Sequence, residues 1–103
     1  MDLNHVVVSG SVEREPFVKE LENGTLTTSF AIRVEEPSQT GEVFKLFVTV
    51  DCYGQLAKET ETLQAGDAVV VSGKLKYKSW TGKNGEKKST LAVLARTVLG
   101  LHP

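Results

Sequence analysis

The sequence predicts an all-β barrel of five long strands, with one short helix between the third and the fourth. Three observations lead there. Apolar side chains recur at every second position through most of the 103 residues, the period of a half-buried strand. Turn chemistry at Asn23-Gly24, at Glu36-Pro37-Ser38-Gln39-Thr40-Gly41 and at Ala65-Gly66-Asp67 divides the chain at strand-length intervals. Only Gly54–Gln64 departs from the period of two, with Leu56, Ala57 and Leu63 as its apolar positions.

Each element follows from its residues. Leu3–Val12 is rich in β-branched side chains, and Gly10 inside it marks a bulge or sharp bend. Phe17–Glu22 continues extended and ends at Asn23-Gly24, the strongest short-range hairpin signal. In Thr25–Glu35, Leu26, Thr28, Phe30, Ile32 and Val34 share one face, and Thr27, Ser29, Ala31 and Arg33 share the other. In Val43–Tyr53, Phe44, Leu46, Val48, Val50 and Cys52 form a continuous apolar face expected to lie in the core. The helix is expected to end at Gly66, placed as a C-terminal cap. Ala68–Tyr77 and Ser89–Leu101 are the last two strands, joined by a basic loop. This order is that of an OB-fold, a five-stranded Greek-key barrel whose helix plugs the open end. Its loops between strands one and two and between strands four and five flank the ligand groove. An SH3-like barrel is the competing architecture, but its strands are shorter and no full helix follows its third. Residues 1–103 are expected to form a single domain, long enough to bury a core without disulfide or metal.

Composition narrows the function. The formal net charge is −1, which argues against a protein that coats a polyanion with its whole surface. The charge is unevenly spread: residues 74–88 hold six lysines against Glu86 alone, a local net of +5. Residues 1–36 hold seven acids against Arg14, Lys19 and Arg33, so a basic lobe sits on a mildly acidic body. The single cysteine, Cys52, permits no intramolecular disulfide and lies on an apolar parity, which reads as core packing. No apolar run approaches a membrane span, and the N-terminus carries no secretory or transit signal, so the cytoplasm is the expected location.

Lys74, Lys76, Lys78 and Trp80 project to one side of their strand, and Leu75 and Tyr77 to the other. Lys83, Lys87 and Lys88 follow in the Gly-containing loop. A row of ammonium groups ending in an indole suits a flexible polyanion with flat faces, for which single-stranded nucleic acid is the commonest ligand. A solvated edge hairpin is the alternative, since lysines also guard exposed strand edges. The polar parity of the third strand reads Lys45, Phe47, Thr49, Asp51 and Tyr53. Phe47 and Tyr53, six residues apart, span about 20 Å of strand, room for more than one base. Asp51 on the same face repels phosphate unless a lysine neutralises it.

Nothing in the sequence points to catalysis. His5 and His102 lie near opposite chain ends, no paired-acid or metal-ligand spacing occurs, and Gly82 and Gly85 sit in a hairpin, not in a phosphate-binding loop. No enzyme activity, cofactor or metal is expected.

The chain resembles the DNA-binding domain of bacterial single-stranded DNA-binding proteins over nearly its whole length. The matching pieces are Asn4-His5-Val6-Val7-Val8-Ser9-Gly10, Asn23-Gly24 leading into Phe30-Ala31-Ile32, Tyr53-Gly54-Gln55-Leu56-Ala57, Gly66 to Val71, Ser72-Gly73-Lys74-Leu75, and Ser79-Trp80 with Gly82 and Gly85. The resemblance implies that Phe47, Tyr53 and Trp80 stack on bases. With the charge pattern, it makes Arg33, Lys45, Lys74, Lys76, Lys78, Lys83, Lys87 and Lys88 the expected phosphate contacts. It also implies a homo-oligomer paired through the first strand, most often a tetramer, in which Val7 is covered. Two departures matter. The family's stacking tryptophan near the end of the second strand is replaced by Val34-Glu35-Glu36-Pro37, so fewer bases per subunit are expected. The chain stops at Leu101-His102-Pro103 without the family's linker and acidic, Phe-terminated tip, which reads as a trimmed chain or a tailless relative. The tailless plan also looks like the dimeric primosomal replication protein of restart primosomes, the second reading. A protein-interaction OB module, with Phe47 and Trp80 as interface anchors, is the third.

Overall fold

The computed structural model describes residues 1–101; His102, one of the two histidines weighed above, and Pro103 lie outside the described residues. The described chain forms β1 (Val6–Val12), β2 (Phe17–Glu20), β3 (Leu26–Pro37), β4 (Val43–Tyr53), α1 (Gln55–Thr60), β5 (Ala68–Thr81) and β6 (Lys87–Gly100). β1 pairs with β5, β5 with β6, β6 in parallel with β4, and β4 with β3. β3 returns to β1 through Ser11 opposite Arg33 and Val12 opposite Ile32. The ring is a closed five-stranded mixed barrel, the OB-fold that the sequence predicts. The first strand, expected to run on through Phe17–Glu22, breaks after Val12, and β2 joins β3 outside the ring.

Two glycines close the barrel. A Cβ on Gly10 would run into the Arg33 carbonyl oxygen where β1 meets β3, and one on Gly73 would meet the Leu94 carbonyl oxygen. The Ser72–Gly73 step carries the register shift between β5 and β6. Close backbone approach, not a turn, is what these positions demand of the sequence.

The core joins Val12, Phe30, Ile32, Val50, Cys52, Ala57, Val69, Val71 and Val93. The apolar parity of β3 is buried as expected, and Cys52 is inside, its thiol pushed up by burial. α1 has six residues and no side-chain N-cap, too short to persist alone. It holds by packing: Ala57 is fully buried, and Thr60 donates to the Leu56 carbonyl while accepting a 2.7 Å hydrogen bond from the Thr28 hydroxyl.

Three expectations need correction. α1 ends at Thr60, so Gly66 does not cap it; Gly66 sits in the turn before β5, donating its N–H to Val12. The 3–4 hairpin outruns the barrel, so Phe44 and Leu46, on the core parity, are exposed by more than half. The basic loop is tighter than predicted: β5 reaches Thr81 and β6 begins at Lys87, leaving residues 82–86 as the turn of a projecting arm. No helix among the described residues is long and apolar enough to cross a membrane.

Candidate nucleic-acid interface

Directly paired residues share a face, so register assembles one outer surface from three strands. Phe17 lies opposite Ser29, and Ser29 opposite Asp51; Lys19, Thr27 and Tyr53 form the next row, and Arg33 faces Phe47. Two concavities cross this surface and meet at Phe17 and Ser29. One, of about 550 Å³, runs past Glu13, Arg14, Glu15, Ala31, Phe47 and Thr49; the other, of about 410 Å³, past Tyr53, Asp51, Lys76, Tyr77 and Lys78. Phe17, Phe47 and Tyr53 present 70%, 61% and 44% of their surface to solvent, an exposure that packing does not explain.

The floor of the second concavity is a charge cluster. Lys76 Nζ lies 2.9 Å from Asp51 Oδ2, and Lys78 Nζ 2.9 Å from Asp51 Oδ1. Lys78 also donates to the Ser29 hydroxyl at 2.9 Å, and Lys76 to the Tyr53 phenol oxygen at 3.2 Å. The Lys76 ammonium is 5.2 Å from the Tyr53 ring centroid, so its contact with Tyr53 is chiefly through the phenol oxygen and not the ring face. Burial alone would push the Asp51 carboxyl up, but hydrogen bonds from Lys78, Lys76 and Ser29 outweigh it and hold Asp51 below its ordinary value. Lys76 is likewise raised: its burial is outweighed by the bonds to Asp51 and Tyr53. The repulsion expected of Asp51 is thereby cancelled, at the expense of one of the two positive charges.

Trp80 stands apart, on the arm. It is 47% exposed and pairs across the strands with Lys88, next to Thr81 and Lys87, in a third concavity of about 450 Å³. Lys83 is exposed in the arm's turn and Lys74 at its root. Lys88 Nζ sits 3.7 Å from a Glu86 carboxylate oxygen, both side chains half exposed, a pair worth little.

The structure therefore gathers Phe47, Tyr53, Lys76 and Lys78 about one groove, and Trp80, Lys87 and Lys88 on the arm. Arg33, Lys45, Lys74 and Lys83 line none of the three concavities. Arg33 leans on Glu35 at 3.4 Å, and Glu35 pairs in register with Lys45. With Glu36 and Glu42 beside them, residues 33–45 hold two bases against three acids, so this hairpin tip is mildly acidic. The row of free ammonium groups read along β5 is also corrected, since Lys76 and Lys78 turn onto Asp51. Sequence reasoning missed Phe17 and Tyr77, the latter 75% exposed and part of the second concavity's lining. A two-residue Asn23-Gly24 turn extended outward would set Phe17 against Phe30, on the core parity. The turn instead spans residues 22–24, with the Leu21 N–H donating to the Thr25 carbonyl, and this one-residue shift sets Phe17 against Ser29. Among the described residues no three His, Cys, Asp or Glu side chains gather as metal ligands.

A closed barrel with an aromatic, partly basic groove across its strands defines an OB-fold binding domain. A family model described as the single-strand binding protein family matches residues 3–101. The chain belongs to that family. It is 33% identical over 86 residues to the single-stranded DNA-binding protein of Thermus thermophilus, covering 84% of this chain and 33% of the relative. It is 29% identical over 103 residues to the one of Deinococcus radiodurans, covering 96% and 34%, and 30% identical over 97 residues to the one of Borreliella burgdorferi, covering 89% and 65%. The chain thus spans about a third of the length of the first two relatives.

Proposed function

We propose that the chain binds single-stranded DNA with little regard to sequence, covering it during replication, recombination or repair. The observation that carries this reading is the groove across β2, β3 and β4, where exposed Phe17, Phe47 and Tyr53 stand beside a lysine-bearing floor. Bases stack on the rings, while Lys87, Lys88 and Trp80 on the arm hold the backbone and a further base. The binding role needs no chemical step and no cofactor. Its proposed setting is the cytoplasm, where such a strand is exposed.

The reading includes a homo-oligomer, a tetramer in preference to a dimer. β1 pairs with β3 only at Ser11 and Val12, so the outer edge from Val6 to Ser9 is open among the described residues, and Val7 is 59% exposed. An open edge with an apolar residue invites a second copy of the same strand.

The test is competition, followed by anisotropy of a labelled single strand. Unlabelled single-stranded DNA should displace it best, RNA of the same sequence less well, and duplex of equal length least. Equal or better displacement by duplex would overturn the proposal.

A further inference from the structure

Resting on that reading, we propose that Asp51 is a built-in competitor for the DNA phosphate. It holds Lys76 and Lys78 on the groove floor, withholds them from the backbone, and so keeps a bound strand quick to release.

Three observations carry this. The first is a count of donors. An ammonium has three N–H groups. Lys78 commits two, to Asp51 and Ser29, and Lys76 commits two, to Asp51 and Tyr53. One donor on each remains for a ligand, in a direction fixed by the other two bonds.

The second is burial. The Asp51 side chain is 7% exposed, while those of Lys76 and Lys78 are 24% and 37% exposed. The carboxylate therefore sits beneath the ammonium groups, shielded from water and unable to swing aside. A phosphate taking either lysine must compete with an anion already at 2.9 Å, inside a pocket where charge is weakly screened.

The third is contrast with the arm. Lys87 has no ion pair among the described residues, and the Lys88 contact to Glu86 is long and solvent-exposed. A phosphate meets no competitor at Lys87 and a weak one at Lys88. The backbone thus settles on the arm, and the floor, with its two residual N–H groups between Phe17 and Tyr53, is left to base edges.

The experiment measures affinity for oligothymidylate from low to high salt, with dissociation rates from stopped flow, for the parent, Asp51→Asn, Lys78→Gln, Lys87→Gln and the helix variant Glu59→Gln. Circular dichroism confirms that each is folded. Asp51→Asn frees a lysine for phosphate and steepens the salt slope by about 0.7, so its advantage over the parent grows roughly fivefold for each tenfold dilution of salt. At low salt its strand dissociates more slowly. Glu59→Gln adds the same charge away from the groove and leaves the slope parallel to the parent's. If Asp51→Asn does not fold, Lys78→Gln decides: it moves the slope by less than about 0.3, where Lys87→Gln loses about 0.7. An Asp51→Asn line parallel to the parent's, or weaker binding by it at every salt, overturns the inference and leaves Asp51 a structural residue. A Lys78→Gln effect as large as that of Lys87→Gln overturns it too. Failure of the parent itself to bind would instead bring down the functional reading.

Discussion

Phe47 and Trp80 keep about half or more of their surface in solvent, so truncating them removes a ligand contact and little packing. Phe47→Ala and Trp80→Ala should each weaken oligothymidylate binding by about 1–3 kcal/mol, the worth of a base–aromatic stack, with unchanged thermal midpoints. Parental affinity in Trp80→Ala would remove that residue from the site. Asp51 makes a second prediction. Its folded carboxyl ionises below its ordinary value, so its stabilisation is present above about pH 4 and is lost as pH falls through the lowered folded value. Urea denaturation of Asp51→Asn should show a loss of about 1–2 kcal/mol at pH 7 that shrinks below about pH 4. A gap that stays constant down to pH 2 would contradict the assignment. Strand parity alone picked out Phe47, Tyr53 and Trp80 as aromatics on polar faces. It could not reveal the Asp51 cluster, because β6 lies between β4 and β5 and the lysines must cross two strand spacings, roughly 9.5 Å. Ala92, opposite Lys76 and beside Thr49, is the small residue that lets them pass.

Among the elements, the barrel depends on two places where backbone replaces side chain. Gly10→Ala and Gly73→Ala force a methyl group against a carbonyl oxygen that belongs to a neighbouring strand and cannot swing away. Each should cost about 1–3 kcal/mol in thermal or urea unfolding, as overpacking does, while a substitution at Gly82, whose nearest neighbours are flexible Glu86 and Lys88 side chains, should cost little. Gly10 stands out as a lone glycine in a β-branched run, which reads as a bulge or bend; β1 keeps its register through it, and what the position demands is close approach to the Arg33 carbonyl. The need for Gly73 was not legible, because it arises from Leu94, far along the chain. Periodicity gave the strands and their faces but not where the barrel stops, and Phe44 and Leu46 show the consequence. They obey the core parity on a hairpin that has already left the core. The helix was overextended for a related reason: Leu63 continues its apolar pattern but packs on the barrel from the turn after α1.

For the molecule as a whole, a net charge of −1 conceals a basic arm, and the cluster at Asp51 concentrates the free positive charge there still further. The proposed assembly through the open edge of β1 predicts a light-scattering mass above one subunit at micromolar concentration, lowered by Val7→Arg; a parent that stays a single subunit with DNA bound would end that proposal. The central claim is tested most directly by titrating oligothymidylate into the protein while following the fluorescence of its single tryptophan, at several salt concentrations. Binding through about four to six phosphate contacts predicts quenching of Trp80 and a fall of log K with log salt at a slope of roughly −3 to −4. An affinity indifferent to salt, with the tryptophan signal unmoved at saturation, would contradict it.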